Sequence, residues 1–310
     1  MRILLTGVTG FIGSHLARLL VGEGHQVFAV VRPKSDRWRI GDIEPALELI
    51  VGDLERIEEI AEELDRLRPE VCVHAAWRGW SGGAEAAEGN LESLRASLTF
   101  ARAVLEVGCP RLVVTGTCFE YEIGPERLTE DSALRPHDLY GACKHALHLV
   151  LEPLARTRGA SLAWPRIFYT YGPYEDARRL LPSVVRALLR GEHARTTAGA
   201  QIRDYLHVED VASAIWAVAR SPLSGAVDIA SGIPVTIRSV AELAASLVGR
   251  SDRLQLGALP YRPGEPMVIQ ASGRRLREEV GWTPRYDLAG GLAQTVTWWR
   301  GEQGRARWRG

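Results

Sequence analysis

The first thirteen residues constrain the fold most, because an apolar run opens directly into a glycine-spaced turn. Residues 3–5 are apolar, Gly7, Gly10 and Gly13 follow, and an amphipathic run begins at Phe11. This order predicts a strand, a tight loop and the start of a helix. One glycine permits the sharp turn, one lets the backbone approach a pyrophosphate, and one lets the helix pack on the strand. The helix N-terminus then faces an anion. The motif predicts a dinucleotide site, with an ordinary strand–helix turn as the alternative.

Short β-rich runs alternate with longer helical patterns along the chain. Several runs, among them VFAVV and LVVTG, are apolar throughout, which is typical of parallel strands covered by helices on both faces. The alternation predicts an α/β fold, a doubly wound parallel sheet (Rossmann fold), with ligands at the carboxyl ends of the strands. The predicted strands are 2–7, 26–32, 47–53, 70–76, 111–117, 161–168 and 225–231. The predicted helices are 11–23, 55–67, 84–107, 138–159, 178–191 and 208–220.

Clusters of proline and glycine mark a second, smaller C-terminal α/β lobe. They lie at 171–173, 232–234 and 260–266. We expect a dinucleotide-binding domain over residues 1–165, completed by residues 201–232. The substrate-binding lobe then comprises residues 166–200 and 233–310.

The composition excludes several classes of partner. The 38 basic residues balance the 38 acidic ones, so no field favours nucleic acid or a membrane surface. No apolar stretch reaches the roughly 20 residues of a membrane span, and Met1 leads straight into the first strand, without a signal peptide. The four cysteines form no C-x-x-C pair, which favours a cytoplasmic protein with reduced thiols. His145 and His148 share a helix face without further ligand types, so no metal site is predicted.

Two strand ends carry candidate cofactor contacts. After the second strand, Arg32 stands where an NAD site would place an acidic residue, and a guanidinium suits a 2′-phosphate. NADP is therefore the expected cofactor and NAD the second choice, unless Arg32 belongs to an ordinary solvated basic loop. After the third strand, Asp53 can accept from an adenine amino group while Leu54 packs on the ring. The alternative role for Asp53 is a helix N-cap.

A tyrosine and a lysine form the candidate catalytic pair. Tyr140 and Lys144 are four residues apart at a predicted helix start, so they share a face. The ordinary pKa of a phenol is about 10, and a nearby ammonium lowers it. The pair can then exchange a proton with a substrate.

Taken together, the motifs resemble those of the extended short-chain dehydrogenase/reductases of the NAD-dependent epimerase/dehydratase group, which act on nucleotide sugars. The resemblance runs from Met1 to about Trp299. It rests on Thr6–Gly13 (T-G-x-x-G-F-I-G, with Thr9, Phe11 and Ile12), G-D-L at 52–54, H-A-A at 74–76 (with Ala75 and Ala76), Asn90, Y-x-x-x-K at 140–144, Y-G-P at 171–173, R-D-Y-L-H-V-E-D at 203–210, R-P-G-E at 262–265 and G-W-x-P at 281–284.

The resemblance implies a role for each matching residue. The Thr117 hydroxyl would bond the reacting sugar oxygen, Tyr140 would exchange its proton, and Lys144 would hold the nicotinamide ribose. Asn90 would order the site beneath the cofactor, and Thr115 would contact the cofactor. Arg203 and Arg262 would bind the nucleotide diphosphate, with a surface salt bridge as the alternative.

The departures from the family pattern concern the substrate. Dehydratases of this group carry T-D-E where this chain has Thr117, Cys118 and Phe119, so water elimination lacks its acid and base. Glu120 follows, and its side chain would face away if the strand continued. Cys118 and Phe119 are instead expected to line the substrate pocket.

Aromatic residues are the other substrate candidates. Tyr169 replaces the usual asparagine and could donate to a sugar or phosphate oxygen. Trp77, Arg78 and Trp80 either wall the sugar pocket or pack between the lobes.

The expected activity is NADP-dependent reduction of a 4-keto (deoxy)sugar carried on a nucleoside diphosphate, with Tyr140 as proton donor. The alternatives are an NAD-dependent nucleotide-sugar epimerase and a non-catalytic, cofactor-sensing protein on the same fold. The resemblance further suggests a homodimer through the helices at 84–107 and 138–159.

Overall fold

The computed structural model describes residues 1–78 and 84–301, without the side chains of residues 84 and 85. Eight parallel strands form the main sheet in the order β11-β7-β5-β4-β1-β2-β3, with β6 beside β7. This confirms the predicted Rossmann-type α/β sheet. The strands are β1 (Arg2–Thr6), β2 (Gln26–Val31), β3 (Glu48–Val51), β4 (Val71–His74), β5 (Arg111–Val114), β6 (Gly116–Thr117), β7 (Ser161–Ile167) and β11 (Gly225–Ile229).

Helices cover both faces of this sheet, which is why its strands are apolar throughout. The two faces bury separate cores, one centred on residues such as Leu16 and Ile215, the other on residues such as Phe100 and Leu147. The helices are α1 (Phe11–Gly22), α2 (Ala61–Leu67), α3 (Ala84–Glu106), α4 (Leu139–Thr157) and α6 (Val208–Arg220).

The second lobe packs three helices on a small sheet. Four short strands, β8, β10, β12 and β14, form that sheet, and β9 pairs with β13. The strands are β8 (Tyr169–Tyr171), β9 (Ala194–Arg195), β10 (Ile202–His207), β12 (Pro234–Thr236), β13 (Leu254–Gln255) and β14 (Val268–Ile269). The remaining helices are α5 (Leu180–Leu189), α7 (Ile237–Val248), α8 (Arg274–Glu278) and α9 (Leu288–Arg300). The core of the second lobe includes Val185, Val240, Leu292 and Trp299.

The predicted elements of the main sheet are confirmed with small shifts. The predicted strand 111–117 is interrupted at Thr115, and α2 starts at Ala61 because a turn and a 3-10 helix (Ile57–Glu59) precede it. The domain boundaries stay a prediction. They assign β10 to the dinucleotide-binding domain, whereas in the structure β10 pairs with strands of the small sheet. In the described part of the chain, no helix has the length and apolarity to cross a membrane.

Candidate active site

The glycine loop joins β1 to α1 and leaves no room for side chains. Gly7 has φ +76°, and a Cβ there would lie 2.6 Å from the carbonyl carbon of Ala75. A Cβ on Gly13 would lie 2.1 Å from the Gly7 carbonyl oxygen. The backbone closes the turn itself, since the Gly10 amide donates to the Gly7 carbonyl at 2.9 Å. The first amides of α1 have no acceptor within the helix, so this cradle fits a pyrophosphate.

A cavity of about 270 Å³ opens at the carboxyl ends of β1–β4. It brings together many of the predicted cofactor residues, namely Gly7, Thr9, Gly10, Arg32, Asp53, Leu54, Ala75 and Ala76, with Trp77. Phe11, Ile12 and Gly13 lie in the first turn of α1 beside it. The cavity therefore fits the adenosine half of a dinucleotide.

Asp53 is engaged inside this cavity. One carboxylate oxygen accepts from the amide of Glu55 and the other from Arg78 Nη2, both at 3.2 Å. The helix N-cap alternative is wrong, because α2 begins at Ala61 and Asp53 caps only a turn. Arg78 also pairs with Glu55 at 2.6 Å, so it lies with the end of β3. The sequence motifs did not reveal this arginine–carboxylate cluster.

Arg32 is exposed at the rim of the same cavity. Within the described residues its guanidinium forms no ion pair, whereas its neighbour Arg37 pairs with Glu44 at 2.9 Å. The Arg32 guanidinium is thus available to an anion at the adenosine end.

The helix α4 carries the catalytic pair. Its N-cap Asp138 accepts from the Gly141 amide at 2.7 Å. A Cβ on Gly141 would lie 2.2 Å from the Phe119 carbonyl oxygen, so glycine allows the helix to approach closely. This approach places the Tyr140 phenol near the Thr117 hydroxyl, which acts to lower the pKa of the phenol against the rise that burial causes. The structure therefore places the hydroxyl groups of Thr117 and Tyr140, both predicted from the sequence, next to each other.

Lys144 is buried beneath this pair. Its Nζ donates to the Thr115 carbonyl at 2.7 Å and lies 4.0 Å from the centre of the Trp77 ring. Burial lowers the pKa of Lys144 to about 7, although the Glu120 charge opposes the shift.

The prediction that the ammonium lowers the pKa of Tyr140 is wrong for this structure. Burial raises the pKa of the phenol, and the hydrogen bond with Thr117 opposes that shift only in part. The physical reason is that desolvation penalises the phenolate more than the neighbouring groups stabilise it. Burial consequently favours the protonated phenol of Tyr140.

Trp77 lies against these residues. Its Nε1 donates to Asn90 Oδ1 at 2.8 Å, and Asn90 Nδ2 donates to the Ala86 carbonyl at 2.7 Å. Its ring centre is 6.2 Å from that of Tyr140. These contacts lie within the sheet domain rather than between the two lobes. Trp80, its proposed companion, lies outside the described residues.

The predicted substrate residues of the lobe meet at β10. Arg203 is only 2% exposed and donates to the carbonyls of Pro266 at 2.6 Å and Ile202 at 2.8 Å. Its guanidinium carbon lies 5.2 Å from the centre of the Tyr169 ring. Arg203 does pair with Glu265, at 3.4 Å, but the arginine is buried, so this is not the surface salt bridge of the alternative.

Arg262 differs from Arg203 in being exposed. The two are linked through Glu265, whose carboxylate accepts from Arg203 Nη2 and from the Arg262 amide, both at 3.4 Å. The structure does not bury the two arginines together.

The segment after Thr117 departs from the expected extended strand. Residues Cys118–Glu120 form a 3-10 helix, so strand alternation does not orient Glu120. Cys118 is buried, which raises the pKa of its thiol, and the Phe119 ring centre lies 6.3 Å from that of Tyr140. The signal was present in the sequence, because T-x-x-E at 117–120 is a capping box.

Arg39 joins the glycine loop to the second lobe through hydrogen bonds that no sequence motif predicted. Arg39 donates to the Thr9 carbonyl at 3.3 Å and to the Tyr174 carbonyl at 2.9 Å. Tyr174 has φ +69°, a left-handed conformation that is uncommon for a residue with a side chain. Arg39 therefore ties the predicted pyrophosphate loop to the segment after β8.

Sheet, glycine cradle and Tyr–Lys pair together define a dinucleotide-dependent oxidoreductase of the short-chain dehydrogenase/reductase type. The sequence profile of the NAD dependent epimerase/dehydratase family matches residues 3–230. The chain belongs to this family, as an extended short-chain dehydrogenase/reductase enzyme.

Three relatives illustrate the range of this family. A UDP-glucose 4-epimerase of Corynebacterium glutamicum is 28% identical, with 92% of each chain covered. A dTDP-glucose 4,6-dehydratase of Mycolicibacterium smegmatis is 27% identical over 98% of this chain and 94% of its own. A UDP-glucose 4-epimerase of Thermus thermophilus, solved in complex with NAD, is 25% identical with a TM-score of 0.85, over 97% of this chain and 100% of its own.

Proposed function

We propose that the protein reduces a 4-keto (deoxy)sugar carried on a nucleoside diphosphate, with NADP as its cofactor. The carrying observation is the arrangement of the Tyr140 phenol beside Thr117 and one helical turn from Lys144, in a buried setting that favours the neutral phenol. A neutral phenol is the form that reduction needs, because the carbonyl oxygen gains a proton as the carbonyl carbon gains hydride. Oxidation would instead need the phenolate.

The chain's own residues would do the rest of the chemistry. The reduced nicotinamide supplies the hydride when it is bound. Thr117 would donate a hydrogen bond to the carbonyl oxygen and stabilise the charge that develops there. Tyr140 would transfer its hydroxyl proton to that oxygen. Lys144, adjacent and partly protonated at neutral pH, would stabilise the phenolate that remains.

The cofactor preference rests on Arg32. An exposed guanidinium at the adenosine end of the cavity favours the extra phosphate of NADP. The main-chain cradle of Gly7, Gly10 and Gly13 and the buried Lys144 suit either dinucleotide.

The residues after Thr117 argue against a dehydratase. Cys118 and Phe119 supply no carboxylate, and the nearest one, Glu120, is bound to Arg166 at 2.9 Å and is fully buried. Elimination of water would lack both its acid and its base at this position.

An NAD-dependent nucleotide-sugar epimerase is the second candidate. It is favoured by the 4-epimerases among the relatives and by the NAD bound to the Thermus thermophilus enzyme. An epimerase oxidises and re-reduces the same carbon, so it consumes no cofactor. Burial raises the pKa of Tyr140, and an epimerase would first have to deprotonate this phenol in order to oxidise its sugar.

The deciding experiment is a cofactor balance. The purified protein is mixed with UDP-, TDP-, CDP- and GDP-linked keto sugars, and NADPH oxidation is followed at equal protein concentration. A reductase consumes one NADPH per sugar reduced, whereas an epimerase releases tightly bound NAD on denaturation and consumes none. Tyr140→Phe should lower turnover by roughly 10²-fold or more. Unchanged turnover of this variant would reject Tyr140 as the proton donor.

Further assignments complete the proposal. Tyr169, Arg203 and Arg262 would bind the sugar diphosphate, with Trp77, Cys118 and Phe119 along the sugar. A homodimer is supported by Leu91 on α3 and by Leu149 and Val150 on α4, which are 49–58% exposed. Sedimentation of Leu149→Glu should then give a lighter species than the parent. Cytoplasmic location and the two-domain boundaries remain predictions.

A further inference from the structure

A buried ion pair lies directly beneath the catalytic hydroxyl groups. Glu120 is fully buried and Arg166 is 1% exposed, and Arg166 Nε donates to the carboxylate at 2.9 Å. Trp164 Nε1 donates to both carboxylate oxygens at 3.0 Å. On the far side, Arg166 Nη1 donates to the Tyr121 hydroxyl at 2.9 Å, and that hydroxyl donates to Asp228 at 2.8 Å. Arg166 and Trp164 thus donate to the carboxylate from their side chains, and a main-chain amide is its third donor.

One of those donors is the backbone of Thr117. The Thr117 amide donates to Glu120 Oε1 at 2.8 Å, and the Thr117 hydroxyl accepts from the Phe119 amide at 3.3 Å. This capping box restrains both the main chain and the side chain of Thr117. The same hydroxyl meets the Tyr140 phenol. A displacement of Glu120 would therefore be passed to the hydroxyl pair through Thr117.

Gly116 keeps the space for this carboxylate. A Cβ at that position would lie 2.6 Å from Glu120 Oε1 and 2.3 Å from Trp164 Nε1. Buried ion pairs contribute little net stability compared with apolar residues of the same volume. Stability alone therefore gives no reason for this pair, whereas fixed geometry beside a reacting oxygen does.

We propose that Glu120, held by Arg166, is a positioning residue that fixes the Thr117 hydroxyl relative to the Tyr140 phenol. The inference rests on the proposed function, since it concerns how that carbonyl reduction is catalysed. The role is one of positioning: the fully buried Glu120 accepts from the Thr117 amide, besides the charge that it places near Lys144.

The test is a double-mutant cycle with Glu120→Asp and Thr117→Val. The aspartate keeps the charge but is one methylene shorter, so its carboxylate no longer reaches the Thr117 amide. We expect kcat to fall about 10- to 100-fold with KM within about twofold, because the loss concerns the transition state. In the Thr117→Val background, Glu120→Asp should have no further effect on kcat.

A second pair of variants separates positioning from folding. Arg166→Lys should lower kcat as Glu120→Asp does. Arg111→Lys, a buried arginine on β5 that donates to the Val218 and Ala219 carbonyls, should change only the unfolding midpoint. If Glu120→Asp does not fold, the two lysine variants decide the question.

The outcomes distinguish the two proposals. Additive losses in the Glu120–Thr117 cycle, or equal kcat in the two lysine variants, overturn the positioning role of Glu120. If Tyr140→Phe leaves turnover unchanged, the proposed function itself fails.

Discussion

The two sides of the proposed site differ in the groups that form them. The side formed by the main sheet uses main-chain groups, whereas the side formed by the second lobe uses a buried side chain. On the sheet side, the glycine loop forms the site with its main chain, and Gly13 approaches the Gly7 carbonyl more closely than any side chain could. On the lobe side, the buried guanidinium of Arg203 is held by three main-chain carbonyls. An added Cβ would therefore disrupt the glycine loop. At Arg203, a substitution would instead leave buried carbonyl oxygens without a hydrogen-bond donor.

The largest effect is expected in the glycine loop. Gly13→Ala should abolish dinucleotide binding or destabilise the fold by several kcal/mol, because its Cβ would lie 2.1 Å from the Gly7 carbonyl oxygen. The matched control is Gly22→Ala in the same helix, where a Cβ meets no heavy atom within 4 Å. It should be neutral or stabilising by up to about 1 kcal/mol. Urea unfolding and cofactor fluorescence titration measure both variants, and equal behaviour would contradict the close-packed cradle.

The lobe offers a paired test with a smaller effect. Arg203→Met should destabilise the protein by about 1–3 kcal/mol, because the carbonyls of Ile202 and Pro266 lose a buried donor. Arg262→Met, at an exposed position, should stay within about 0.5 kcal/mol. Both should weaken binding of UDP or TDP in calorimetry if both contact the diphosphate. An Arg262 variant that binds these nucleotides normally would remove Arg262 from the proposed site.

Arg32 tests the adenosine end of the cofactor side. Arg32→Ala should weaken NADP binding about tenfold or more and leave NAD binding unchanged, because a charge-assisted hydrogen bond contributes about 1.5–3 kcal/mol. Arg37→Ala, which removes an arginine already paired with Glu44, is the control and should alter neither affinity. Equal affinities of the parent protein for NAD and NADP would reject the preference.

A pH-dependent effect is expected in the buried polar network of Tyr121 and Asp228. Burial raises the pKa of Asp228 to about 8. The folded protein therefore keeps a proton on Asp228 that the unfolded chain releases, and stability is lost as the pH rises from about 4 through 8. Asp228→Asn removes this loss while keeping an oxygen for the Tyr121 hydroxyl. The urea midpoints of the variant should exceed those of the parent above pH 8 and converge with them below pH 4. If the midpoints of the two proteins kept a constant difference at every pH, Asp228 would not be a buried neutral acid.

The two sides also differ in how far the sequence reveals them. Strands such as β2 and β5 are continuous apolar runs, and the glycine spacing and the Tyr140–Lys144 interval are local, so sequence alone predicted them. The lobe strands are only two to three residues long except for β10, which is too short a pattern for periodicity. Helices α7 and α9 have amphipathic patterns that sequence reasoning could have used and did not.

The sequence by itself determined the Rossmann-type sheet, the family and the one-turn spacing of Tyr140 and Lys144, because those depend on local order and spacing. Only the tertiary structure decided which partners those groups have. Glu120 and Arg166 are 46 positions apart in the sequence, and Tyr121 and Asp228 are 107 positions apart. Hydrophobic periodicity carries no information about contacts at such separations. The protonation of Tyr140 was decided in the same way, because desolvation depends on what surrounds the phenol in space.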